Sequence, residues 1–138
     1  MSDYKEIIID HYKNPRNMGK FVGADKIVDE ANSSCGDLIK IFVKFRGWIP
    51  GPRRNSRDRQ SRNDNMIIEE MKWQGVGCAI STAGASMLSE KVIGMNKEDL
   101  EKFGESGVVE MMGGEINAGR MKCATLAFRG LLKVFNND

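Results

Sequence analysis

The chain has 138 residues, with 21 Lys and Arg against 19 Asp and Glu, a formal net charge of +2 and three cysteines. That length fits one domain spanning 1–138, able to bury a core without a disulfide or a structural metal as an obligatory staple, and the balanced charge does not mark a nucleic-acid protein. No segment approaches the roughly 18 apolar residues of a membrane span, and three cysteines, 43 and 45 residues apart with no CxxC pair, exclude a disulfide framework.

The first stretch, MSDYKEIIIDHYKNPRN, has no long apolar region and no cleavage site, so a cytoplasmic protein is expected. Tyr4, Ile7, Ile8, His11 and Tyr12 recur at helical spacing and predict a short amphipathic helix over 3–12, which the turn residues NPRNMG stop. Segments 26–32 and 37–45 read as strands, the second alternating Ile39, Ile41, Val43 and Phe45 against Leu38, Lys40, Phe42 and Lys44. A third strand is expected over 65–75, with Ile67, Glu69, Met71 and Trp73 on one face. Between them, residues 47–64 hold two of the three prolines and five arginines, too few apolar groups to order themselves, and predict a long flexible loop.

After Gly77 the period changes to that of a helix, with Ile80, Ala83, Met87 and Leu88 near one stripe and Gly94 as its end. NKEDLEKFG offers Asn96 as an N-cap with Asp99 three residues on, and Gly104 as a stop. The last helix is expected over about 120–135, carrying Ala124, Ala127, Leu131 and Val134. Strands first and helices afterwards predict an α+β domain: a small three-stranded antiparallel sheet with helices packed on one face.

All three cysteines fall at element ends. Cys35 lies in the link between the first two strands, Cys78 follows Gly75 and Gly77 at the start of a helix, and Cys123 lies in the first turn of the last helix, beside Arg120 and Lys122. A helix N-terminus stabilises a thiolate over a thiol, and thiolate is the form that binds soft metals and attacks sulfur electrophiles. If Gly36 makes a turn, Asp37 can face the same point, and three sulfurs with one oxygen form a four-ligand set for zinc or for a labile iron–sulfur centre. Ala79, Ser81 and Thr82 would leave room beside it. Position alone equally allows three buried cysteines acting as small hydrophobes. The lone histidine, His11, reads as a partly buried helix residue rather than a ligand.

DHYKNPRNMG at 10–19, CGD at 35–37, GCAISTAGASML at 77–88 and RMKCATLAF at 120–128 occur in one order, and with them the chain resembles the NifU/IscU/SufU iron–sulfur cluster assembly scaffolds. The resemblance implies the SufE/NifU-like fold, with Cys35, Asp37, Cys78 and Cys123 converging on a 2Fe-2S cluster or, alternatively, on zinc. It implies that a cysteine desulfurase delivers persulfide sulfur, with Cys123 or Cys35 as acceptor, and that the finished cluster passes to apo iron–sulfur recipient proteins. The chain would then be a scaffold rather than an enzyme; the alternative is a zinc-containing sulfurtransferase of the SufU kind. Frataxin-like or carrier proteins, and a homo-oligomer bridged by the cluster, are further partners of such scaffolds. Asp37 matches the aspartate whose replacement lengthens cluster lifetime.

Three departures qualify the resemblance. Lys122 stands where the IscU branch has a histidine, so histidine ligation is not expected. GGEINAGRMK replaces the Leu-Pro-Pro-Val-Lys segment, so the docking motif for the dedicated Hsp70 chaperone is absent. The arginine-rich loop 47–64 has no aromatic residue after Trp48 with which to stack bases, which argues against nucleic acid as a partner.

Overall fold

The computed structural model describes residues 6–20, 22–32, 36–46, 66–114 and 116–136. Three strands, β1 (Lys26–Asn32), β2 (Asp37–Arg46) and β3 (Ile67–Val76), form an antiparallel sheet in that order. Helix α1 (Glu6–Lys13) precedes them, and α2 (Ala79–Lys91), α3 (Lys97–Met111), a 3-10 turn (Ala118–Arg120), α4 (Met121–Ala124) and α5 (Leu126–Asn136) follow. This is the expected α+β order. The predicted loop over 47–64, like Cys35, lies outside the described residues. Among those described, no helix is long and apolar enough to cross a membrane.

The central strand carries the core as its alternation predicts, with Ile39, Ile41, Val43 and Phe45 buried. On β3 the expected face is corrected by a bulge. Phe45 pairs with Ile68 and Lys44 with Glu70, so Glu69 is the extra residue. That insertion advances the pleat by one, and Ile68, Met71 and Trp73 are the buried set while Ile67 and Glu69 are not.

Helices α2 and α5 lie on the core face of the sheet. Leu131, Val134 and Phe135 of α5 are buried, and the Phe135 ring sits 5.4 Å from that of Phe45. Gly130 allows this approach, since a β-carbon there would come within 2.7 Å of Ile41 Cδ1. The sequence predicts a single stripe on α2, yet Ile80, Ser81 and every residue from Ala83 to Ser89 are buried. Its Ala, Gly and Ser side chains are small enough for the sheet, α1 and the C-terminal helices to pack around it from several sides. At Gly84 the helix comes close to α4: a β-carbon there would lie 2.9 Å from the Ala124 carbonyl oxygen.

Two predicted helix boundaries shift. The Asn96–Asp99 capping box forms, with Asn96 Oδ1 accepting from Asp99 N–H at 2.8 Å. Gly104, however, is a kink at φ 60° and not a stop, because Glu105–Met111 resumes the helix and buries Val108. The expected helix over 120–135 is broken at Thr125, whose hydroxyl and N–H both return to the Met121 carbonyl oxygen. Within the described part of α1, Ile8 and His11 are buried and Ile7 and Tyr12 exposed, and Tyr4 lies outside the described residues.

The turn after α1 is pinned by a buried polar network. Ser86 Oγ accepts the Arg16 N–H at 2.8 Å and lies within hydrogen-bond distance of His11 Nδ1, at 2.7 Å. Trp73 Nε1–H donates to the Arg16 carbonyl oxygen at 2.9 Å, while the Ser89 hydroxyl donates to the Ser86 carbonyl oxygen at 2.7 Å. Asn17 to Gly19 then runs along β3, with Trp73 N–H donating to the Asn17 carbonyl oxygen and Gly19 N–H to that of Trp73.

Candidate metal centre

Asp37 opens β2, Cys78 is the N-cap of α2, and Cys123 is the third residue of α4. Their ligand atoms all lie within 4.8 Å of one another. Asp37 and Cys123 are buried at 3% and 1% exposure, and Cys78 is half-buried at the rim. Gly36 precedes Asp37 with φ at 73°, a left-handed conformation that glycine adopts without penalty, and its N–H donates to the Asn32 carbonyl oxygen at 2.9 Å. That turn sets Asp37 opposite Asn32 in the β1–β2 register.

The strand-to-helix junction explains Gly77. A β-carbon there would lie 2.8 Å from Asp37 Oδ1 and inside the contact shell of Ser81 Oγ, so only glycine lets the carboxylate and the first turn of α2 close together. Across that gap Asp37 Oδ1 accepts the Cys78 N–H at 3.2 Å. The other oxygen, Oδ2, is buried and has no hydrogen-bond partner among the described residues. An unpartnered buried carboxylate oxygen costs on the order of 1–3 kcal/mol or more, and a cation between it and the two sulfurs would remove that cost. The donor set therefore fits a thiophilic ion with one harder oxygen ligand.

Burial alone would raise the Cys78 thiol, but hydrogen bonds from the Ser81 N–H, the Ser81 hydroxyl, Cys123 and the Ile80 N–H outweigh it and hold the thiol below its ordinary value. Ser81 is not the open space the sequence suggests: it is buried, and its hydroxyl donates to the Cys78 carbonyl oxygen at 3.1 Å. The expectation that Cys123 gains from a long helix's positive end is corrected by the break at Thr125, since α4 has only four residues.

Two contacts escape the sequence reading. Ser81 stands three residues after an N-cap, a spacing that signals a local hydroxyl bond. Asn32, a polar residue at an inward position of β1, is 4% exposed and directs its Nδ2 at Cys123 Sγ, 3.7 Å away. His11 stays apart from the cluster, bonded to Ser86.

The NifU-like N terminal domain family profile matches residues 3–48 and 60–136. The chain is 32% identical over 147 aligned residues to the zinc-dependent sulfurtransferase SufU of Bacillus subtilis, covering 94% of this chain and 87% of that protein. It is 34% identical over 124 residues to the iron-sulfur cluster assembly scaffold protein IscU 1 of Archaeoglobus fulgidus, covering 90% and 69%. A solved putative iron-sulfur cluster assembly scaffold for the SUF system, from Fervidobacterium islandicum, superposes with a TM-score of 0.69 at 26% identity, covering 96% of both chains. With the fold, the Gly77 junction and the Asp37–Cys78–Cys123 cluster, these matches show that the chain belongs to the NifU-like N-terminal domain family, among relatives named IscU and SufU.

Proposed function

We propose that this protein is a scaffold on which a 2Fe-2S cluster is assembled from iron and from sulfur supplied by a cysteine desulfurase, and from which it passes to apo recipient proteins. The observation that supports it most is the convergence of Asp37, Cys78 and Cys123, with Asp37 Oδ2 buried and without a hydrogen-bond partner among the described residues. Cys35, two residues before Asp37, supplies the fourth donor in this reading. The scaffold turns over no substrate by itself.

Each residue has a task in this scheme. Sulfur enters at Cys123 or Cys35: the acceptor thiolate attacks the outer sulfur of the partner's persulfide, a new S–S bond forms, and the partner leaves as a thiolate. Cys123 is buried, so delivery there requires the site to open around it. Cys78, half-exposed with its thiol held low, provides a ready thiolate ligand at the rim. Asp37 is the harder and weaker ligand among sulfurs, the corner from which the cargo leaves.

A second reading, a sulfurtransferase that holds zinc at the same residues, draws support from the 32% identity to the Bacillus zinc-dependent sulfurtransferase over 94% of this chain. Zinc would supply a Lewis acid that keeps the thiolates deprotonated, with one sulfur released when the persulfide arrives. Anaerobic incubation with iron, cysteine and a desulfurase, followed by visible absorption and by iron, zinc and sulfide analysis, separates the two. Equal iron and sulfide with cluster absorption, lost in Cys78→Ser, supports the scaffold. Tightly held zinc with strong stimulation of the desulfurase supports the transferase, and an unaltered cluster in Cys78→Ser would refute the site.

A further inference from the structure

We infer that Asn32 is a positioning residue for the centre: its carboxamide N–H donates to the Cys123 sulfur and sets how tightly that sulfur is held as a ligand. This rests on the reading of Cys123 as a ligand given above. Asn32 ends β1, 91 positions before Cys123 in the chain, with its side chain 4% exposed and Nδ2 3.7 Å from Sγ. A side chain so buried, reaching a sulfur on another element, needs a reason beyond strand propensity, since asparagine is disfavoured inside strands.

Asn32 has two links at once. Its carbonyl oxygen accepts the Gly36 N–H at 2.9 Å, and its backbone pairs with Asp37 across β1 and β2. Those bonds shape the turn that leads into Asp37, while the side chain bonds the sulfur that α4 brings in. One residue thus fixes the separation between the strand half of the site and the helix half, across an interval where Gly84 brings α2 against Ala124 with no spare room.

The chemistry also picks the direction of the bond. A thiol could donate its proton to a carboxamide oxygen, but a metal-bound thiolate has none, and only the amide N–H can satisfy it. A donor to an ionised sulfur is charge-assisted, and donors next to metal ligands tune affinity and, for clusters, potential. The inference therefore separates donation from space-filling. Asn32→Asp keeps the volume and replaces the donor by an anion, whereas Asn32→Ala removes both.

The test uses the whole chain with cobalt(II) as the probe, competed against a chelator. If Asn32 donates, Asn32→Ala weakens cobalt binding about 10–100-fold and moves the sulfur-to-cobalt charge-transfer band to lower energy, because the thiolate is no longer stabilised. Asn32→Asp should then bind more weakly than Asn32→Ala. If Asn32 only fills space, the order reverses and the band stays where it is, which overturns the inference. Unfolding midpoints of the metal-free variants show whether either is misfolded. A readout free of that concern is the wild-type chain, isotope-labelled at nitrogen: zinc should shift one asparagine carboxamide N–H pair, absent in Asn32→Asp, and no shift overturns the inference. If Cys123→Ser retains the full thiolate band, the ligand reading fails as well, and that outcome is distinct from an unaltered Asn32→Ala.

Discussion

Replacing Gly77 by alanine tests whether the site is held by the strand-to-helix junction or only by its ligands. The added methyl would sit 2.8 Å from Asp37 Oδ1 and 3.2 Å from its Cγ, and against Ser81 Oγ. Both neighbours are short, buried side chains, so neither can yield by bending a flexible end. Relief requires Ser81 to give up its bond to the Cys78 carbonyl oxygen at 3.1 Å, or Asp37 to move off the Cys78 N–H at 3.2 Å. At about 0.5–1.5 kcal/mol for each bond, losing both costs about 1–3 kcal/mol. For a domain of this size that lowers the thermal midpoint by roughly 3–10 °C. Because the displaced group is a ligand or supports one, zinc affinity measured by chelator competition should fall by at least about tenfold. A Gly77→Ala protein with wild-type midpoint and wild-type zinc affinity would refute the account of the junction.

Asp37→Ala removes the one oxygen among sulfur donors, and a reconstituted cluster should survive chelator challenge longer than in the wild type; faster loss would show that Asp37 is a strong ligand instead of the weak corner. Burial, with a smaller push from Arg16, lowers the His11 pKa below 6.5, against the opposing pull of Glu90 and Asp10. The unfolded chain therefore binds a proton that the native chain refuses, so stability falls as pH drops below 6.5 and the loss is complete below the lowered native value. Urea midpoints of wild type and His11→Gln between pH 7.5 and 5.5 check this, with a smaller acid dependence expected in the variant.

What the sequence made legible follows the strength of its local signals. The alternation of β2 and the Asn96–Asp99 cap are dictated within a few residues, and the structure has both. The β3 face went astray because a single inserted residue, Glu69, reverses a period of two without altering composition. At Thr125 the backbone leaves helical angles while its hydroxyl joins its N–H on the Met121 carbonyl oxygen, a local bend that helical periodicity does not register. At the site, Cys78 and Cys123 were nameable because cysteines are few and fall at expected element ends, and Asp37 because it follows Cys35 and Gly36 at the start of a strand. Asn32 was not, since its partner is 91 positions away and an ordinary polar residue at a strand end carries no local mark.

The run from Asn17 to Gly19 along β3 has a consequence for the protein in a crowded solution. A sheet of three strands has two bare rims, each a row of unpaired amides that can recruit a strand from another molecule. Asn17 and Gly19 occupy the rim of β3 at Trp73, and Gly94 and Met95 occupy it at Ile68. The opposite rim, β1, is guarded by the charges of Lys26, Asp29 and Glu30. The turn after the first helix, together with the Gly94–Met95 turn, thus takes up amides of β3 that a strand from another molecule would otherwise pair with.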